Sequence, residues 1–92
     1  MLRLFNRTKK IDLSTITRVL SRRNYVFTVS EEGIRIQGKY VNNGKTFTEL
    51  VLVFKKNKVS FKDTRGNFIT KIPREVASDQ IYPHIKDIFG LV

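Results

Sequence analysis

Cysteine and tryptophan are absent from the 92 residues. Without cysteine there is no disulfide framework, no thiolate metal site and no sulfur redox chemistry, and a reducing compartment stays open. A cytoplasmic location is the simplest expectation. Two prolines and five glycines are too few for a linker or a low-complexity tract, and no internal repeat is visible. The longest nearly apolar run, Leu50 to Phe54, is five residues, far below the roughly 18 to 20 that a membrane-spanning helix needs. A chain of this length is expected to form a single domain, residues 1–92, with one modest core.

Groups for catalysis are scarce as well. Histidine occurs once, as His84, beside Pro83 in an apolar stripe and with no serine or cysteine nucleophile that the sequence places near it. Glu31 and Glu32 are adjacent, so their side chains diverge, and neither Glu49 nor Asp63 has a second ligand at metal-binding spacing. "DTRGN" at 63–67 lacks the Gly-x-x-x-x-Gly-Lys pattern of a nucleotide-phosphate loop and reads as a hairpin turn. No metal, no cofactor and no catalytic residue is expected, and hence no enzyme.

Acids number eight against 18 bases, a net charge of +10. The excess is uneven. Residues 1–24 hold seven bases and one acid, residues 25–54 three of each, residues 55–74 seven and one, and residues 75–92 one and three. If folding brings the two basic segments together they form one positive face, the electrostatic footprint of polyanion binding. A merely solubilising surface intersperses both signs.

Hydropathy spacing predicts an α+β domain, an antiparallel meander of four or five strands flanked by an N-terminal and a C-terminal helix. Asp12 or Ser14 can cap a first helix from Leu13, with Leu13, Ile16, Val19 and Leu20 on its core side and Arg18 and Arg22 on the other. "NYVFTVS" and "IRIQGKYV" alternate as strands. "NNGK" is a strong hairpin signal because Asn and Gly accept positive φ. The strand from Phe47 to Phe54 is apolar at consecutive positions, so it should lie centrally with both faces covered, by helices or by a second copy. "VSFK", the "DTRGN" turn and "FITKI" should complete the meander, the last ending at Pro73. A second helix, capped by Ser78 or Asp79 and stopped by Gly90, carries Ile81, Ile85, Ile88 and Phe89 at helical spacing.

The bases offer the most specific functional signal. Lys55, Lys56 and Lys58 crowd one turn, Arg65 occupies the tip of the next, and Lys62, Lys71 and Arg74 flank them, while Arg18, Arg22 and Arg23 lie on the first helix. Such groups neutralise phosphates and release counterions, the main source of sequence-independent affinity for nucleic acid. Tyr40, Phe61 and Phe68 lie near bases and are candidates for stacking on nucleobases, although a phenylalanine alternating with Ser and Lys fits a core position better.

The leading expectation is a nucleic-acid-binding protein, for DNA or RNA, with low sequence specificity; a ribosome-type component has the same electrostatics. The alternative is a non-enzymatic protein-binding module or inhibitor, of the virus- or plasmid-type accessory kind. Its basic face would dock an acidic or nucleic-acid-binding surface of a partner protein, with a homodimer as another way to cover the double-sided strand. "MLRLFNRTKK" also has the composition of a weak attachment to anionic lipid, and the Arg-rich N-terminus that of a mitochondrial presequence.

Overall fold

The computed structural model describes residues 13–31, 33–55 and 58–90. Helix α1 (Leu13–Arg22) is followed by strands β1 (Phe27–Val29), β2 (Gly33–Asn42), β3 (Lys45–Lys55), β4 (Lys58–Lys62) and β5 (Val76–Ala77), then a 3-10 turn at Ser78–Gln80 and helix α2 (Ile81–Ile88). The five strands form one antiparallel sheet in sequential order. This is the expected α+β meander with a helix at each end. No helix among the described residues is long and apolar enough to cross a membrane.

β2 and β3 are joined by a tight turn with positive φ at both Asn43 (54°) and Gly44 (77°), the geometry that Asn-Gly favours. Between Gln37 and Tyr40 the register slips by one residue. That slip sets Tyr40 opposite Phe47, whereas the earlier register would have set it opposite Thr46, so both rings stay on the inner face. Ile34 and Ile36 face Leu52 and Leu50, and Leu52 faces Phe61 across β4. All of these are buried in one cluster with Ile16 and Leu20 of α1 and Ile81 and Ile85 of α2.

Both helices cover this inner face. Phe89, just after α2, lies edge-on to Tyr40 with ring centroids 5.6 Å apart. Gly38 permits that approach, since a Cβ there would stand 2.6 Å from the Phe89 ring. β3 is central as expected, yet its outer face has no helix over it among the described residues. Val51 and Val53 are half-buried there, beside exposed Arg35.

α1 ends where Asn24 takes φ 63°, with Tyr25 N–H donating to the Leu20 carbonyl at 3.0 Å and Asn24 N–H to the Ser21 carbonyl at 3.1 Å. This is a Schellman closure with Asn in the left-handed position. α2 ends at Gly90, φ 60°, as anticipated. Three local expectations are corrected. Leu13, in the first turn of α1, is 39% exposed rather than in the core. Neither Ser78 nor Asp79 makes a side-chain cap; the 3-10 turn leads into α2 instead. Of the proposed caps of α1, Asp12 lies outside the described residues.

The third correction bears on function. Phe68 to Ile72 is not a strand: one bridge joins Lys62 to Phe68, and then the chain leaves the sheet. The cause is the Asn42 side chain, which occupies the backbone groups a strand would need. Its Nδ2 donates to the Phe68 carbonyl at 3.2 Å, and its Oδ1 accepts from Thr70 N–H at 3.1 Å. A side chain that satisfies the backbone in this way competes directly with a ladder. The fifth strand is therefore Val76–Ala77, paired with Val59 and Lys58.

Candidate nucleic-acid interface

The loop after β4 is built around a buried carboxylate. Asp63, 2% exposed, accepts at Oδ1 from the backbone N–H groups of Arg65 (2.8 Å) and Asn67 (3.0 Å), and at Oδ2 from Asn42 Nδ2 (2.9 Å). Burial pushes its pKa up, but the hydrogen bonds from Asn42, Asn67 and Arg65 outweigh that and leave it below the ordinary 3.8. It is ionised at neutral pH and held by dipoles, with no cation paired to it among the described residues. Asp63 thereby curls the chain through Gly66 (φ 89°) and lifts Arg65 to the exposed tip.

Beyond the tip, Phe68 is half-buried and gathers two cations. Lys62 Nζ stands 4.8 Å from its ring centroid and the Arg74 guanidinium carbon 4.5 Å. The ring's electron-rich face attracts each cation. An open depression of about 470 Å³ adjoins them, with Asn43, Asn67, Phe68, Thr70, Ile72 and Arg74 in its lining and no carboxylate. Lys62, Arg65, Phe68 and Arg74, scattered over 13 residues, are thus assembled at one end of β4.

The other candidates are distributed differently. Lys55 and Lys58 face each other across the hairpin at the opposite end of β4, about 13 Å away along a strand rising ~3.3 Å per residue. Lys55 is partly neutralised by Glu75, 3.6 Å away. Lys56 lies outside the described residues. The basic run 55–74 is therefore two patches, not one. Lys71 is exposed and adjoins a cavity of about 40 Å³ shared with Asp87 and Ile88 of α2. Arg18 and Arg22 are exposed on α1. Arg23 lies over the Tyr82 ring at 4.5 Å, which ties the end of α1 to α2.

Two of the three candidate stacking rings are core residues. Tyr40 is 4% and Phe61 1% exposed, and neither offers a face to a nucleobase. Tyr40 packs on Phe47 and Phe89 and donates its hydroxyl to the Glu49 carbonyl at 2.6 Å. Burial, then the charges of Asp63 and Glu49, push its phenol well above the ordinary value. Phe61 packs against His84, 6.1 Å between ring centroids. The Nδ1 of His84 is buried and has no hydrogen-bond partner among the described residues.

Asn42, Asn43 and Asn67 were missed from the sequence. An Asp followed two residues later by a turn backbone is a readable Asx signal; the partnership of Asn42 with a loop more than 20 residues away has no local signature. No group of three or more potential metal ligands occurs among the described residues. Compared with known protein families, curated proteins and solved structures, the chain matches none.

Proposed function

We propose that this protein is a small nucleic-acid-binding domain, not an enzyme, that grips phosphates through Lys62, Arg65 and Arg74. Lys55, Lys58, Arg18 and Arg22 add longer-range attraction. The observation that supports it best is the pair of cations held against Phe68 beside a depression with no carboxylate. Two like charges gathered this closely repel, and a bound phosphate relieves that repulsion while releasing counterions from the nucleic acid. The contacts are to backbone phosphates, so sequence preference is low.

Fluorescence-anisotropy titration against DNA and RNA at several salt concentrations tests this. Binding at micromolar Kd or tighter near physiological salt, with a log-log slope equivalent to about three or more phosphates at roughly 0.7–0.9 each, is expected. Absence of binding in a well-folded sample overturns the reading.

A second reading, a module docking an acidic protein surface, is favoured by one feature: half-buried Val51 and Val53 on the outer face of the sheet, flanked by Arg35. Such a partner would meet an apolar strip beside the Arg35–Glu49 ion pair, 3.0 Å, on a chain whose net charge of +10 speeds encounter with acidic surfaces. If nucleic acid fails to bind, Val51→Lys in a pull-down against an acidic partner becomes the deciding variant.

A further inference from the structure

Phosphate contacts alone do not account for the depression beside Phe68. A phosphate needs charge and donors, and the exposed lining here is more polar than apolar, yet it also includes three apolar side chains that a phosphate does not use: half-buried Phe68 and Ile72, and Ile69, 5% exposed. We propose that this depression receives one unstacked nucleobase, so that the ligand is a single strand rather than a duplex; the proposal rests on the nucleic-acid reading above.

Size and chemistry agree. About 470 Å³ falls within the roughly 300–1,000 Å³ of small-ligand sites. A base presents an apolar π-face and a polar edge, and here apolar Phe68 and Ile72 share the lining with polar side chains. Asn43 is one of these, exposed at the β2–β3 turn, and its side chain makes no hydrogen bond among the described residues. Thr70 is exposed beside it. Arg74, its guanidinium 4.5 Å from the Phe68 ring centroid, borders the depression as well. The cations that would hold the flanking phosphates, Lys62 and Arg74, already stand at the same ring.

The site is also preorganised. Asn42 pins the Phe68 carbonyl and Thr70 N–H, and Asp63 pins the loop from the other side. The walls are therefore fixed before a ligand arrives, which lowers the ordering cost of binding. In a duplex the bases are stacked and paired inside the helix, and no base reaches such a depression without being flipped out. In a single strand the base is free to enter.

The decisive probes are three single strands of equal phosphate number, oligothymidylate, oligodeoxyadenylate and an abasic sugar–phosphate strand, and a duplex of half-length oligothymidylate and oligodeoxyadenylate with the same total. Single strands should bind on the order of tenfold tighter than the abasic strand and tighter than the duplex, the range expected when one base stacks. Phe68→Leu keeps an apolar side chain and Asn43→Gly keeps the positive φ, so both should fold. Phe68→Leu should narrow the gap between base-bearing and abasic strands severalfold while the salt slope stays unchanged, and Asn43→Gly should narrow it less. Equal affinity for base-bearing and abasic strands, or a preference for duplex, overturns the nucleobase pocket and leaves phosphate binding standing. Failure of every probe to bind overturns both.

Discussion

Asn42 donates from Nδ2 to Asp63 Oδ2 at 2.9 Å, linking the last residue of β2 to the first residue after β4. Both residues are 2% exposed, so water does not replace this bond when it is lost. Asp63→Ala would leave the N–H groups of Arg65 and Asn67 without their acceptor and take one of two acceptors from Asn42 Nδ2, which keeps the Phe68 carbonyl. Leaving buried donors unpaired costs about 1–3 kcal/mol apiece; since the loop can relax toward water, a total loss of about 2–4 kcal/mol in urea unfolding is expected. Amide exchange at Arg65 and Asn67 should accelerate more than in the β2–β3 ladder.

The same carboxylate sets an acid limit. Its folded pKa lies below the ordinary 3.8, so its ionised form is preferentially stabilised by folding. That stability is fully present above about pH 4 and is lost as pH falls through the folded value. In paired urea titrations, the stability gap between the natural chain and Asp63→Ala should hold constant from pH 7 to about pH 4 and narrow below it. A gap that widens on acidification contradicts this sign.

What could be read in the sequence follows from what is local. The Asn-Gly turn, the helical spacing of Ile16 and Leu20 or Ile81 and Ile85, and the stop at Gly90 each rest on a few neighbouring residues, and each was legible. Asn42 was not: its neighbours mark it as part of a turn, and its role is decided by Asp63, Phe68 and Thr70 far along the chain. The misjudged strand at 68–72 is the same omission seen from the other side. Alternation gave Phe61 and Tyr40 a face of the sheet without deciding whether helices or solvent would meet it. Lys62, Phe68 and Arg74 meet because the irregular loop lets them, and no period in the sequence encodes that.

Gly38 offers a packing test away from the candidate site. A methyl at this position would come within 2.6–2.9 Å of three Phe89 ring atoms, which also contact Tyr25 and Tyr40. Gly38→Ala should displace the ring and cost about 1–3 kcal/mol, the usual range for overpacking. Because the penalty comes from this one collision, adding Phe89→Ala should produce a double variant less destabilised than the sum of the two single changes. Additive losses would show that the methyl is accommodated some other way.

Tyr40 should make stability fall at high pH. Its folded phenol ionises above the ordinary 10.0 because burial disfavours the phenolate, with Asp63 and Glu49 adding repulsion. A raised folded value contributes stability that is complete below about pH 10 and lost as pH climbs through the folded pKa. Tyr40→Phe removes the hydroxyl bond to Glu49 and should cost about 1 kcal/mol at pH 7. Its deficit relative to the natural chain should shrink above pH 10. Absorbance at 295 nm should show Tyr25, also shifted upward by burial, and Tyr40 ionising late.

Charge removal can tell the two ends of β4 apart. Lys62 and Arg74 flank Phe68, whereas Lys55 shares its charge with Glu75 at the other end of the strand. If phosphates are held at Phe68, Lys62→Gln and Arg74→Gln should each weaken nucleic-acid binding across all sequences and reduce the salt slope by about 0.7–0.9, one phosphate contact apiece. Lys55→Gln also frees Glu75, so its effect combines a lost cation with an exposed anion; the cleaner control is Lys55→Gln with Glu75→Gln, which should leave the slope nearly unchanged. Exposed pairs of this kind contribute little to folding, so all of these variants should keep their melting temperatures within a few degrees. A slope that responds to Lys55 and not to Lys62 or Arg74 would move the phosphate site to the β3–β4 hairpin.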